Sequence, residues 1–122
     1  MEEKSLGCIR KGGTRLIVEV LPEAARPTKQ GAIIMDTPGY DIASVTSMVA
    51  GGGSLIVFTT GRGTPTGHAL APVLKVTGNR DTFERMHDNI DIGVCEIMEG
   101  TCTIEEAGER LLKDCLLYTS DA

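Results

Sequence analysis

Short apolar runs, separated by turns that contain glycine or proline, organise this chain. Residues 32–35 (Ala-Ile-Ile-Met) form a run typical of a strand buried on both faces, and residues 54–59 predict a strand most clearly. A third strand is predicted over 72–76. The run from Leu16 to Val20 fits either a strand or the start of a helix.

Other segments follow helical spacing. Residues 41–49 predict a helix with Asp41 as its N-cap and the glycines at 51–53 as its end. A short helix started by Asp81 is expected over 80–86. Thr103 and Glu106 match a capping box at the start of a final helix. Its apolar stripe would comprise Ile104, Ala107, Leu111, Leu112 and Cys115.

The order of these elements predicts the fold class. Strand, helix and strand across 32–59 make a βαβ unit, whose two strands lie parallel in one sheet. We therefore expect an α/β, Rossmann-like three-layer domain with a mostly parallel sheet. The polar residues 1–14 are expected to form a loop, and residues 21–30 a connection with one helical turn at most.

Composition narrows the function classes. The net charge is −5, no cluster of Lys or Arg is present, and aromatic residues make up only 3%, which argues against nucleic-acid binding. No apolar stretch is long enough for a membrane span and no secretory leader is recognised, so we expect a cytoplasmic protein. The four cysteines form no C-x-x-C pair and are expected to be reduced, buried thiols.

The richest candidate site is the glycine-rich loop at 59–67, which leaves the carboxyl end of a predicted strand. Open α/β sheets bind ligands at such ends, and glycines let backbone amides approach an anion. Arg62 adds a fork suited to a carboxylate. The spacing fits neither a dinucleotide fingerprint nor a P-loop. A tight strand-to-strand connection is the structural alternative, and we rate binding above it.

Other residues carry weaker signals. Lys11 could act as a base if its pKa were lowered by burial, although we slightly favour the simpler interpretation of a solvated lysine before a turn. Asp36 follows a predicted strand and either binds a hydroxyl or metal or anchors its own turn. His68 and His87 lack a third ligand at recognisable spacing, which leaves only a metal site shared with residues outside this chain.

Several motifs, in this order, resemble the C-terminal domain of the altronate/galactarate dehydratase family. The matching segments are Ser5-Leu6-Gly7-Cys8, Lys11-Gly12-Gly13, Met35-Asp36-Thr37-Pro38-Gly39, Ser44-Val45-Thr46, Ala50-Gly51-Gly52, Phe58-Thr59-Thr60-Gly61-Arg62-Gly63, Gly67, Ala71-Pro72-Val73-Leu74-Lys75-Val76, Asn79, Met86, Asp91 and Glu99-Gly100. The resemblance covers residues 5–116. It departs at 93–95, where an Asn-Ala-Gly-like turn is expected, and in the non-matching tail 117–122.

The resemblance implies a hydro-lyase that dehydrates a hexonate or hexarate to a 2-dehydro-3-deoxy sugar acid, with Fe²⁺ or another divalent metal whose ligands stay unassigned. It makes Lys11, Asp36 and Arg62 candidate catalytic residues. The candidate substrate-binding residues are Thr59, Thr60, Gly61, Arg62, Gly63, Thr64, Lys75 and Asn79. Family members carry a long upstream segment, so the resemblance implies that the N-terminal part of the same enzyme is missing and that residues 1–116 are a fragment, inactive alone.

Two alternatives to an enzyme fragment stay open. One is a non-catalytic α/β module that binds a small anion through the loop from Gly61 to Gly67. The other is a structural domain that mediates formation of a homodimer.

Overall fold

The computed structural model describes the backbone of residues 2–120 and the side chains of residues 6, 7 and 9–118. Predictions about Cys8 and about the end of the tail 117–122 fall outside the described residues. The helices are α1 (Glu2–Lys11), α2 (Asp41–Ala50), α3 (Arg80–Arg85), α4 (Cys95–Met98) and α5 (Ile104–Ser120). The strands are β1 (Ile17–Leu21), β2 (Ala32–Met35), β3 (Ile56–Thr59), β4 (Val73–Thr77) and β5 (Ile92–Gly93).

The described strands form two small sheets in which every pair is parallel. One contains β1 and β2, and the other has the order β3-β4-β5. This confirms the α/β class with parallel strands and is consistent with a Rossmann-like fold. The predicted pairing within a βαβ unit was wrong, because β2 and β3 belong to different sheets. The loop from β3 instead leads directly into its parallel neighbour β4, with no helix between them, as the sequence predicted.

Two local predictions are corrected at the start of the chain. Residues 2–11 are the helix α1 and not a loop, with Arg10 and Lys11 in its last turn, where cations complement the helix dipole. Gly13, at a φ of 75°, then ends the helix in the left-handed conformation that glycine tolerates. Strand β2 is not buried on both faces, since Ile34 is 49% exposed.

Helix starts were predicted within one or two residues. Tyr40 and not Asp41 occupies the N-cap of α2, and Asp41 lies in the first turn. Asn79 and not Asp81 caps α3, because its side chain accepts a hydrogen bond from the backbone N–H of Thr82. The capping box of α5 is confirmed, since Thr103 and Glu106 exchange backbone-to-side-chain hydrogen bonds of 2.8 and 3.2 Å.

The best-buried side chains gather around the three-stranded sheet. Leu74, Thr77 and Thr82 are almost completely buried, and Val45 of α2 is the buried counterpart outside that sheet. The thiol prediction holds for Cys95, which is buried, whereas Cys102 and Cys115 are only half-buried. The stripe of α5 is mixed, because Ala107 is buried but Ile104 and Leu112 are exposed. No described helix is long and apolar enough to cross a membrane.

Candidate functional site

The carboxyl ends of β3, β4 and β5 meet at one edge of their sheet, because all three strands run parallel. A cavity of about 430 Å³ lies at this edge. We call it the strand-end pocket. It is lined by Lys11, Thr59, Thr60, Gly61, Val76, Gly78, Asn79, Val94 and Met98. Five of these nine residues are among those that the sequence nominated, and they come from separate segments of the chain.

The wall after β3 is held by its own backbone. The N–H of Thr60 donates to the carbonyl of Val76 (2.9 Å), which extends the pairing with β4. Its hydroxyl oxygen accepts from the N–H of Gly63 (3.0 Å). Gly63 has a φ of 88°, and a Cβ there would overlap the sulfur of Met86. The positive φ therefore favours glycine at 63, and a Cβ there would also force the Met86 side chain to move and would press on Thr82.

The wall after β4 contains Gly78 and Asn79. The side-chain oxygen of Asn79 accepts from the N–H of Thr82 (3.3 Å), which caps α3. An asparagine amide has one acceptor oxygen and one donor NH₂ group. The cap uses one lone pair of the oxygen, and the NH₂ group, which takes no part in the cap, is the donor that Asn79 offers to a ligand oxygen.

Lys11 brings a cation to the strand-end pocket from the end of α1. The N–H groups of Gly12 and Gly13 bond to carbonyls of the last turn, which places the lysine at the helix terminus. Its side chain is exposed and makes no hydrogen bond or ion pair with the other described side chains. Lys11 is thus positioned to meet an anion rather than an internal carboxylate.

The other nominated residues lie elsewhere. Arg62 is exposed on the loop next to Gly61 but does not line the strand-end pocket, and Gly63 and Thr64 lie behind the wall. Lys75 points to Asp91, with 3.5 Å between its Nζ and the carboxylate. Asp36 follows β2, is exposed, and belongs to the end of the other sheet.

Four lining residues were not nominated from the sequence: Val76, Gly78, Val94 and Met98. Val94 follows β5, a strand of two residues that carries no recognisable sequence pattern. Its N–H donates to the carbonyl of Thr77 (2.8 Å). The sequence did carry a signal for Gly78, since a glycine just after a predicted strand and before Asn79 is typical of a turn.

Two other features were weighed against the strand-end pocket as the candidate site: a metal site and a larger cleft. Among the described side chains, no group of three His, Cys, Asp or Glu residues could hold a metal ion. The described residues alone therefore do not form a complete metal site, and the metal that the resemblance implies stays a prediction. A cleft of about 710 Å³ lies beside α5. Its lining has three carboxylates, of Glu96, Glu106 and Glu109, against the two cations Arg110 and Lys113, and Arg110 is paired with Glu96. The remaining charge is less favourable for an acidic ligand than that of the strand-end pocket, where Lys11 faces no carboxylate.

Comparison with known proteins decides the family. Residues 1–121 match the model of the family described as D-galactarate/Altronate dehydratase, C-terminal. The chain belongs to this family. It is 46% identical to the galactarate dehydratase (L-threo-forming) of Escherichia coli over 109 residues, which are 89% of this chain and 21% of that protein. It is 31% identical to the altronate dehydratase of the same organism over 100 residues, 82% of this chain and 20% of that protein.

A third relative is named for a different elimination reaction. The beta subunit of a (2R)-sulfolactate sulfo-lyase from Chromohalobacter salexigens is 36% identical over 122 residues, which are 99% of this chain and 31% of that protein. The chain thus spans between a fifth and a third of the length of these relatives. All three relatives are named as lyases or dehydratases of an organic acid.

Proposed function

We propose that this chain forms part of the active site of a lyase that eliminates water from a hexonate or hexarate of the altronate or galactarate class. The convergence of Lys11, Thr59, Thr60, Gly61 and Asn79 on the strand-end pocket is the observation that carries the proposal. The rest of the site is supplied by residues outside this chain, in agreement with the much greater length of its relatives.

The pocket suits a polyhydroxy acid. Lys11 supplies a positive charge for a carboxylate, and the NH₂ group of Asn79 supplies a donor for the same group or for a hydroxyl. Thr59 and Thr60 present hydroxyl groups on the wall after β3. Elimination requires removal of the proton next to the carboxylate, and charge develops on that carboxylate as the proton leaves. The cation and the donors would stabilise this charge.

Arg62 and Asp36 have less direct roles in this proposal. Arg62 lies one residue from the pocket wall, on the exposed part of the loop, where it would contact the far end of a long substrate. Asp36 would act on the substrate only if residues outside this chain brought the two sheet ends together. Since the described residues do not form a metal site, we derive no step through Fe²⁺ or another metal.

The relative named as a sulfo-lyase favours a second candidate reaction. Its match covers 99% of this chain, and its named substrate is sulfolactate. Sulfolactate shares a carboxylate with the sugar acids, and the same cation and amide donors would bind it. Elimination from a sulfonated acid is therefore the second candidate function.

A purely anion-binding module is less well supported. In the loop from Gly61 to Gly67, the N–H of Gly63 donates to Thr60 and the N–H of Thr66 donates to Thr64. Two amides that an anion-binding loop would need are therefore already engaged inside the loop.

The test uses the complete polypeptide that the gene encodes, with Fe²⁺ supplied. Elimination from galactarate, altronate and sulfolactate is measured for the wild type, Lys11→Met and Thr59→Val. Loss of the Lys11 charge should raise KM at least about tenfold, since charged hydrogen bonds contribute about 1.5–3 kcal/mol. Lys113→Met, on α5 and outside the strand-end pocket, is the matched control.

The substrate comparison separates the candidates. Turnover of a sugar acid that weakens in Lys11→Met but not in Lys113→Met supports the dehydratase. Turnover of sulfolactate alone supports the second candidate. A folded, metal-loaded protein that eliminates from none of the three acids contradicts both. The same paired design, Arg62→Met against Arg85→Met, tests the loop arginine against another exposed arginine on α3.

A further inference from the structure

Thr82 is a buried residue of α3 that makes no direct contribution to the lining of the strand-end pocket. Its hydroxyl donates to the carbonyl of Gly61 across 21 positions of sequence, at 2.8 Å. Gly61 belongs to the wall after β3. A side chain that is 2% exposed thus holds a residue of the pocket wall.

The backbone of the same residue holds the neighbouring wall, which follows β4. Its N–H donates to the side-chain oxygen of Asn79 (3.3 Å), which turns the NH₂ group of that amide away from the cap. Its methyl group also lies where a Cβ at Gly63 would contact it, at 3.2 Å. Thr82 therefore contacts the segments that follow β3 and β4 at once.

We infer that Thr82 is a positioning residue, which sets the separation of Gly61 and Asn79 and so the fit of an acid substrate in the strand-end pocket. The inference rests on the proposed function for its substrate. The hydroxyl is the group that matters, because a methyl in its place leaves the Gly61 carbonyl without this buried donor.

Thr82→Val and Thr82→Ser separate the hydroxyl from the shape of the side chain. Valine keeps the shape and loses the donor, whereas serine keeps the donor. In the complete polypeptide we expect Thr82→Val to raise KM about five- to tenfold with a smaller change in kcat, as loss of one hydrogen bond predicts. Thr82→Ser should restore KM to near the wild-type value.

A second readout needs no substrate. Hydrogen–deuterium exchange of the peptide spanning residues 59–66 should be faster in Thr82→Val than in Thr82→Ser or the wild type. If Thr82→Val does not fold, Thr82→Cys replaces it, since a thiol is a similar-sized but weak donor.

The outcomes divide cleanly. Faster exchange together with a raised KM, both rescued by serine, supports the positioning role. Unchanged exchange, or equal KM in the valine and serine variants, overturns it. If exchange is faster in Thr82→Val but the wild type eliminates from none of the three acids, the proposed function is overturned. The contact of Thr82 with Gly61 and Asn79 is then still supported.

Discussion

The two sheets differ in how many strand ends meet at one edge and in how well their strands are buried. In the three-stranded sheet, Leu74 and Val76 are buried and α3 packs beside the strands. In the two-stranded sheet, Val20 and its register partner Ile34 are both largely exposed. Both sheets end in turns with polar residues. A pocket of about 300 Å³ also lies at the ends of β1 and β2, but no predicted site residue is in its lining. Among the described residues, the pocket at the ends of β3, β4 and β5 is lined by five of them.

The difference shows that a position at the end of a strand does not by itself place a residue in the strand-end pocket. Asp36 and Thr59 both come at the end of a strand in their own sheets. Thr59 has neighbours from β4 and β5 at the same edge, whereas β2 pairs only with β1. A convergent site requires several carboxyl ends side by side, held by a packed core.

The largest loss of stability should come from truncating a buried side chain of the three-stranded sheet. Leu74→Ala should lower the free energy of unfolding by about 3 kcal/mol, because the side chain is completely buried. Ile34→Ala, a truncation on the exposed sheet, should lower it by less than about 1 kcal/mol. Chemical denaturation measures both. Equal losses would break the comparison, since they would mean that the β1–β2 face is covered in solution.

Glycine substitutions sharpen the comparison next. Gly63→Ala should destabilise by about 2–4 kcal/mol, because it combines a positive φ with overlap against Met86. Gly52→Ala has a positive φ of 107° but open space around the new Cβ, and should cost only about 1–2 kcal/mol. Thermal unfolding compares the pair. A Gly52 variant at least as unstable as the Gly63 variant would show that contact with α3 does not restrain the loop.

Substitutions of Asn79 and Asp36 compare how the two strand ends affect the kinetics. Asn79→Asp keeps the cap of α3 but replaces the NH₂ donor with a negative charge, so KM for an acid should rise about tenfold while the melting temperature stays near that of the wild type. Asp36→Asn should leave KM unchanged. Steady-state kinetics of the complete polypeptide decide. Loss of kcat in Asp36→Asn would instead support its nomination as a catalytic residue.

The smallest expected effect is a loss of local stability at low pH. Hydrogen bonds from the Thr28 hydroxyl and then from the Thr28 backbone N–H hold the pKa of Glu19 below its usual value of 4.5. A lowered folded-state pKa contributes stability above pH 4.5 that disappears as pH falls through that lowered pKa. The protection factors of the amides in residues 17–30, which correct for the slower intrinsic exchange in acid, should therefore fall as the pH drops through that lowered pKa. Glu19→Gln should flatten this response, and an unchanged pH profile would argue against the contribution of Glu19.

Local patterns determined much of the chain by themselves. The short apolar runs predicted β2, β3 and β4, the capping box predicted the start of α5, and the ordered motifs predicted the family. These features depend on residues close together in sequence, which is why they can be recognised without the fold. The loop from Thr59 to Gly61 was placed at a strand end for the same reason.

Only the tertiary structure decided which strand ends share an edge. It separated Asp36 from the strand-end pocket, paired Lys75 with Asp91, and brought Val94 and Met98 to the pocket wall. It also showed that α1 ends with Lys11 at the same cavity. Pairing between strands depends on contacts between distant segments, and a strand as short as β5 forms because of its neighbour β4 rather than from its own two residues.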